Sequence, residues 1–212
     1  MRLKLSDLWA VLYLVTITSF LIFGTTTFVS LTKAFPFPMG FLKIALLGTF
    51  GECLKRRLAS GSWIPDRLFL RAFIWGCFGI LFTWMFPYSD GGVMTLIKQR
   101  LWPDGSGLWL AFSKSLWVNF IGGFLFSMMF VHYWLDIMLA QKKFCYPWNI
   151  LARPENIRWG KIVILTMLLW WILAHTITFS LPPEWRVVCS GYLAITLGYI
   201  LSLAATPKPE NK

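Results

Sequence analysis

The chain has 212 residues, of which 57% are hydrophobic and only 14% charged, with a net charge of +11. A water-soluble domain is typically ~25% charged, so there is too little polar surface to clothe a soluble globule, and lipid must act as solvent for much of the chain. Lys and Arg are confined to a few places, which argues against a nucleic-acid face and for charge-directed membrane topology.

Six apolar stretches follow in chain order: Leu8–Leu31, Phe35–Leu54, Leu68–Phe86, Leu108–Leu139, Lys161–Leu181 and Trp185–Ala205. At ~1.5 Å rise per residue, ~20 residues cross the hydrocarbon of a bilayer. All six qualify by length, which predicts an all-α polytopic transmembrane bundle with six spans. The first stretch is longer than the ~7–15 apolar residues of a signal peptide, and no small-x-small cleavage site follows it. It reads as a retained helix, so residues 1–34 are an extra N-terminal transmembrane helix and residues 35–205 the bundle. Phe35–Leu54 is the most polar stretch, because it contains Lys43 and Glu52. In the loop Tyr88–Gly107, Asp90-Gly91-Gly92 and Trp102-Pro103-Asp104-Gly105 are turn signals, with a short interfacial helix expected over Val93–Leu101. Residues 206–212 are polar and contain proline, and are expected to be disordered.

If six helices cross, the N-terminus, the second and fourth loops and the C-terminal tail share one side. Of the 20 Lys and Arg, 14 fall there, including Lys4, Lys55, Arg56, Arg57, Lys142 and Lys208. Five fall on the other side, and Lys43 lies within the second helix. By the positive-inside rule, both termini are expected on the cytoplasmic, Lys/Arg-rich side.

Polar groups within the spans are the functional candidates, because each is costly in lipid unless partnered. Glu52 faces Lys55 and Arg56 at i+3 and i+4, the spacing of an interfacial ion pair. The alternative is that Glu52 turns inward to a cation on another helix. Lys43 is expected to snorkel outward. His132 and Asp136 stand at i, i+4 in the fourth stretch, and a structural hydrogen bond is the favoured reading. Lys114 and Asn119 lie in the same stretch, off each other's face. In the fifth, Trp171, His175, Thr178 and Pro182 recur at spacings of four, three and four, one polar–aromatic stripe that should face protein or water. Either it packs against a neighbouring helix or it lines a cavity, with Glu52, Lys114, Asn119 and Arg186 as further lining candidates. In the last stretch Ser190, Ala194, Gly198 and Ser202 place a small residue at every fourth position, a ridge for close helix packing.

Soluble-enzyme signatures such as GxSxG, GxxxxGK[ST], HExxH and GxGxxG are absent, so no catalytic residue is assigned. Cys53, Cys77, Cys145 and Cys189 form no CxxC pair. Neither a disulfide framework, a metal site nor any other cofactor is expected.

The C-terminal third resembles the family of the twenty-two-kilodalton peroxisomal membrane protein and its mitochondrial inner-membrane relatives. That family carries Trp-Pro-x-x-Gln-x-x-Asn-Phe-x-x-Val-Pro, then Arg, then a helix ending in Leu-Ser. Here Trp171, Phe179, Pro182, Arg186 and Leu201-Ser202 keep the pattern, while Ile172, His175 and Thr178 replace Pro, Gln and Asn. Gly51-Glu52 resembles the family's Gly-Asp. Lys114 to Asn119 resembles its Lys-x-x-x-Asp-Gln, with Val118 in place of the Asp. The similarity runs from about Phe35 to Ser202 and implies pore-like passage of small solutes. The expected function is therefore a channel-like membrane protein for small solutes or ions, with the bilayer as partner, a homo-oligomer as one assembly, and no nucleic acid. A non-catalytic scaffold or accessory subunit of a membrane complex is the alternative.

Overall fold

The computed structural model describes residues 3–121, 124–141, 144–151, 161 and 164–204. All regular structure among the described residues is helical. The elements are α1 (Leu5–Phe23), α2 (Thr25–Ala34), α3 (Pro36–Ser60), α4 (Leu68–Lys98), α5 (Gly107–Leu116), α6 (Phe124–Gln141), the short α7 (Pro147–Leu151), α8 (Ile172–Phe179) and α9 (Pro183–Ala204). Single π-turns stand at Trp117–Ile121 and Met167–Trp171. Among the described residues three helices, α1, α3 and α4, are long and apolar enough to cross a bilayer, and Ile164–Phe179 forms a shorter apolar run. The chain is a membrane-embedded helical protein. The expected tail at 206–212 and the loop cations Lys142, Lys143, Arg153 and Arg158 lie outside the described residues.

The chain divides into two compact units, Met1–Thr83 with Val187–Lys212, and Trp84–Arg186. In the first, the opening apolar stretch is two helices rather than one, because the backbone leaves helical geometry at Gly24. The α1 N-terminus is built on Asp7. Its carboxylate caps the Lys4 backbone N–H at 2.8 Å and accepts Arg57 Nε at 2.6 Å, Arg57 Nη2 at 2.7 Å and Trp63 Nε1 at 2.6 Å. Lys4 Nζ donates to the carbonyl of Gly61 at 2.8 Å. Gly61 holds φ +76°, the left-handed turn that closes α3. Further along, Tyr13 stacks on Phe50 at 5.5 Å, and the hydroxyls of Thr18 and Tyr192 lie 2.7 Å apart. The N-terminal helix is thus bonded into the first unit at three levels. Its other side is apolar and open: Leu8, Trp9, Val11, Leu12 and Val15 are all exposed. A bilayer is the solvent in which such a face is stable.

Pro36 opens α3 at its first turn, where a missing N–H costs nothing. Lys43 turns inward, contrary to the snorkelling expectation. It is buried, donates to Thr32 Oγ1 at 2.9 Å and sits 4.5 Å over the Phe28 ring. Glycines let α3 meet its neighbours closely. A Cβ on Gly40 would lie 2.8 Å from the carbonyl oxygen of Gly79 on α4, and one on Gly48 would lie 2.6 Å from the Trp75 ring. On the α9 side, a Cβ on Gly51 would stand 3.4 Å from the carbonyl oxygen of Ala194, and one on Gly191 2.7 Å from Leu47. Of the ridge expected in the last helix, Ala194 lies opposite Gly51 through its carbonyl and Ser190 is buried, while the side chains at Gly198 and Ser202 lie outside the described residues.

The second unit begins within α4. The predicted turn at Asp90-Gly91-Gly92 is instead continuous helix, and no separate helix starts at Val93. Phe82, Phe86, Ser89 and Val93 are all buried at spacings of four, three and four. That single packed face outweighs the local turn preference of the Asp-Gly-Gly triplet. Gly92 also faces the Trp117 indole, where a Cβ would come within 3.2 Å of Nε1. The helix runs through Pro87, which leaves the Thr83 carbonyl without its usual i+4 amide donor.

Candidate functional site

The fifth-stretch pattern becomes a two-sided element. Trp171, His175 and Thr178 are buried on one side, whereas Leu173 and Ile177, between them in sequence, are 62% and 60% exposed. The stripe faces protein, and Pro182 at its end is exposed. α8 packs along α5, whose buried face carries Ala111, Lys114, Ser115 and, one turn on, Val118 and Asn119.

Two π-turns meet in this contact. A π-turn shifts the helical hydrogen-bond ladder and leaves carbonyls for other donors, and such turns recur at functional sites. Ser115 Oγ donates to the Ile172 carbonyl at 2.7 Å. Asn119, inside the first π-turn, donates from Nδ2 to the Ser115 carbonyl at 2.9 Å and to the Trp171 carbonyl, the end of the second, at 3.4 Å. Its Oδ1 lies 3.1 Å from His175 Nδ1. The imidazole is wholly buried, with Phe86 edge-on at 5.8 Å between ring centres and Trp171 tilted at 5.1 Å. Thr178 donates back to the Ala174 carbonyl at 3.0 Å.

A charged cluster forms a second part of the unit. Lys114 on α5 and Arg186 on α9 both pair with the Asp90 carboxylate on α4. Arg186 Nη1 reaches Asp90 Oδ2 at 3.1 Å, Nε donates to the Leu181 carbonyl at 3.2 Å, and the guanidinium lies 5.2 Å over the Phe179 ring. One carboxylate is thus shared by two cations. Lys114 and Arg186 are buried, while the Asp90 side chain keeps 31% of its surface open.

The expected lining residues thus separate. Trp171, His175 and Asn119 are joined directly, Thr178 lies on the same buried face, and Lys114 and Arg186 meet through Asp90. Glu52 belongs to the first unit. There it pairs with Arg71 of α4 at 2.6 Å and accepts the Trp75 indole at 3.3 Å, so the cross-helix partner holds rather than Lys55 or Arg56. The side chains of His132 and Asp136 lie outside the description. Three features of the candidate site escaped the sequence: Asp90, hidden in an apparent turn, the Ser115 hydroxyl, and both π-turns. An acidic residue flanked by buried positions at helical spacing is a signal for the first. No local pattern announces the π-turns.

Several polar atoms of this unit are buried with no hydrogen-bond partner among the described residues: Ser89 Oγ, Ser113 Oγ, Trp117 Nε1, Trp171 Nε1 and His175 Nε2. Each such group costs about 1–3 kcal/mol in an apolar interior. Among the described residues no group of three or more His, Cys, Asp or Glu is placed to hold a metal ion. Compared with known proteins, the chain matches no family model, no curated protein and no solved structure.

Proposed function

We propose that this protein is a channel-like membrane protein that passes small solutes or ions through its second unit. In this reading six spans cross the bilayer, with both termini on the Lys/Arg-rich side. The observation that carries it is that Trp171, His175, Ser89 and Ser113 each bury a hydrogen-bonding atom with no partner among the described residues. A helix bundle held by packing alone has no need of polar atoms in its interior, and in lipid they are retained at a cost. Lys114, Asp90 and Arg186 supply a charged group beside them. The resemblance of Trp171 to Arg186 to a family associated with pore-like passage supports the same reading.

A second reading, a non-catalytic scaffold or accessory subunit, is favoured by one observation. The His175 ring is enclosed by Phe86 and Trp171, the arrangement of a packing seam. Purified protein in liposomes separates the two. The channel reading expects release of small entrapped solutes, or conductance, above that of empty liposomes. Permeability no greater than that of empty liposomes, across solutes and ions of graded size, leaves the scaffold.

A further inference from the structure

We propose that His175 Nε2 and the Trp171 indole N–H form a binding station for one small uncharged hydrogen-bonding molecule, either water or a compact polyol or amide. Asn119 fixes the orientation of the imidazole. Its Nδ2 faces the carbonyls of Ser115 and Trp171, and reversing the amide would set its oxygen against two carbonyl oxygens. Oδ1 therefore faces His175, and an amide oxygen only accepts. His175 Nδ1 accordingly carries the proton. The contacts described for the ring, with Asn119, Phe86 and Trp171, are all with uncharged groups, and a buried imidazolium without a counter-charge is costly, which favours the neutral form. Nε2 is left as a bare lone pair, wholly buried and with no hydrogen-bond partner among the described residues.

The Trp171 indole nitrogen has the complementary character. It is a donor only, it is buried, and it too has no partner among the described residues. One acceptor and one donor thus stand on two rings 5.1 Å apart between centres. The chemistry of the pair selects its occupant. Nε2 demands an O–H or N–H donor, which excludes simple anions. The indole demands an acceptor, which excludes ammonium-type cations. A lone imidazole is too small a ligand set for a metal ion. Molecules that both donate and accept, without net charge, satisfy both rings.

The station's place in a passage rests on the channel reading, but its occupancy does not. The chain has two histidines, so His132→Asn leaves His175 as the sole imidazole for ¹⁵N-histidine NMR in lipid bilayers. His132→Gln serves if that variant does not fold. The expected spectrum has the proton on Nδ1 and magnetisation transfer from water to the Nε2 side of the ring. Glycerol or urea should reduce that transfer if either enters, and leave it intact if water is the sole occupant. Trp171→Phe, which keeps an aromatic ring and removes the donor, should cut the transfer several-fold while the Nδ1 proton stays in place. A proton on Nε2, or an Nε2 that senses neither water nor solute, overturns the station whatever the liposomes show. An occupied Nε2 in protein that conducts nothing keeps the station and removes the channel reading alone.

Discussion

Gly40 and Gly79 meet backbone against backbone: a Cβ on Gly79 would lie 2.7 Å from the Gly40 carbonyl carbon. Neither main chain can yield as a flexible side chain would. Gly79→Ala should therefore destabilise the first unit by about 1–3 kcal/mol through overpacking. Gly91 lies on the same helix with nothing within 4 Å of a Cβ. Gly91→Ala should be neutral or stabilise by about 0.5–1 kcal/mol, because alanine loses less backbone freedom in a helix. Thermal unfolding in one detergent, with both variants side by side, measures the contrast. Equal melting of the two would remove the close crossing.

Asp90 is shared by Lys114 and Arg186. Asp90→Asn removes the common counter-charge and should cost on the order of 2 kcal/mol, less than for a fully buried pair because part of the carboxylate is open. Lys114→Met should cost less, since Arg186 still holds the carboxylate. Melting temperatures should fall in that order, and the reverse order would refute the shared-carboxylate arrangement.

Within the π-turn contact, Asn119 and Ser115 carry unequal loads. Ser115→Ala removes one buried hydrogen bond and should cost about 1 kcal/mol. Asn119→Leu removes the donor to two carbonyls and the acceptor for His175, so a loss of about 2–4 kcal/mol is expected, several groups being left unsatisfied. Chemical unfolding of each variant in mixed micelles reads the difference.

Topology has its own test. Single cysteines at Lys4, Lys142 and Lys208, in a background lacking the native thiols, should all be labelled by a membrane-impermeant reagent from the same side. Labelling of Lys142 from the side opposite Lys4 would eliminate the six-span arrangement.

The helical, membrane-embedded class and the buried stripe were legible in the sequence, for a physical reason. Apolar length and helical spacing are local properties, and Trp171, His175 and Thr178 need only a 3.6-residue period to share a face. What was missed depends on partners distant in the chain. Asp90-Gly91-Gly92 is a turn by local preference and a helix by packing. Glu52 had two cations within four residues and yet pairs with Arg71. Lys43 has an apolar stem that suits a lipid face, but Thr32 and Phe28 hold its ammonium inside. Of the small-residue ridge, Ser190 is buried and the Ala194 carbonyl lies opposite Gly51. The closest approach described for α3 and α4 is instead at Gly40 and Gly79, which no regular repeat marks.

The carboxylate of Asp7 has a consequence for how the chain is made. Its ligands Arg57 and Trp63 follow it by 50 and 56 residues. During synthesis α1 emerges from the ribosome before those partners do. Until Arg57 and Trp63 have emerged, the Asp7 carboxylate has only the local backbone N–H of Lys4 as a partner. The Asp7 end of α1 is thus made before the residues that fix it. Nascent chains truncated before Arg57 should leave it extractable and protease-sensitive, and chains extended past Trp63 should lock it.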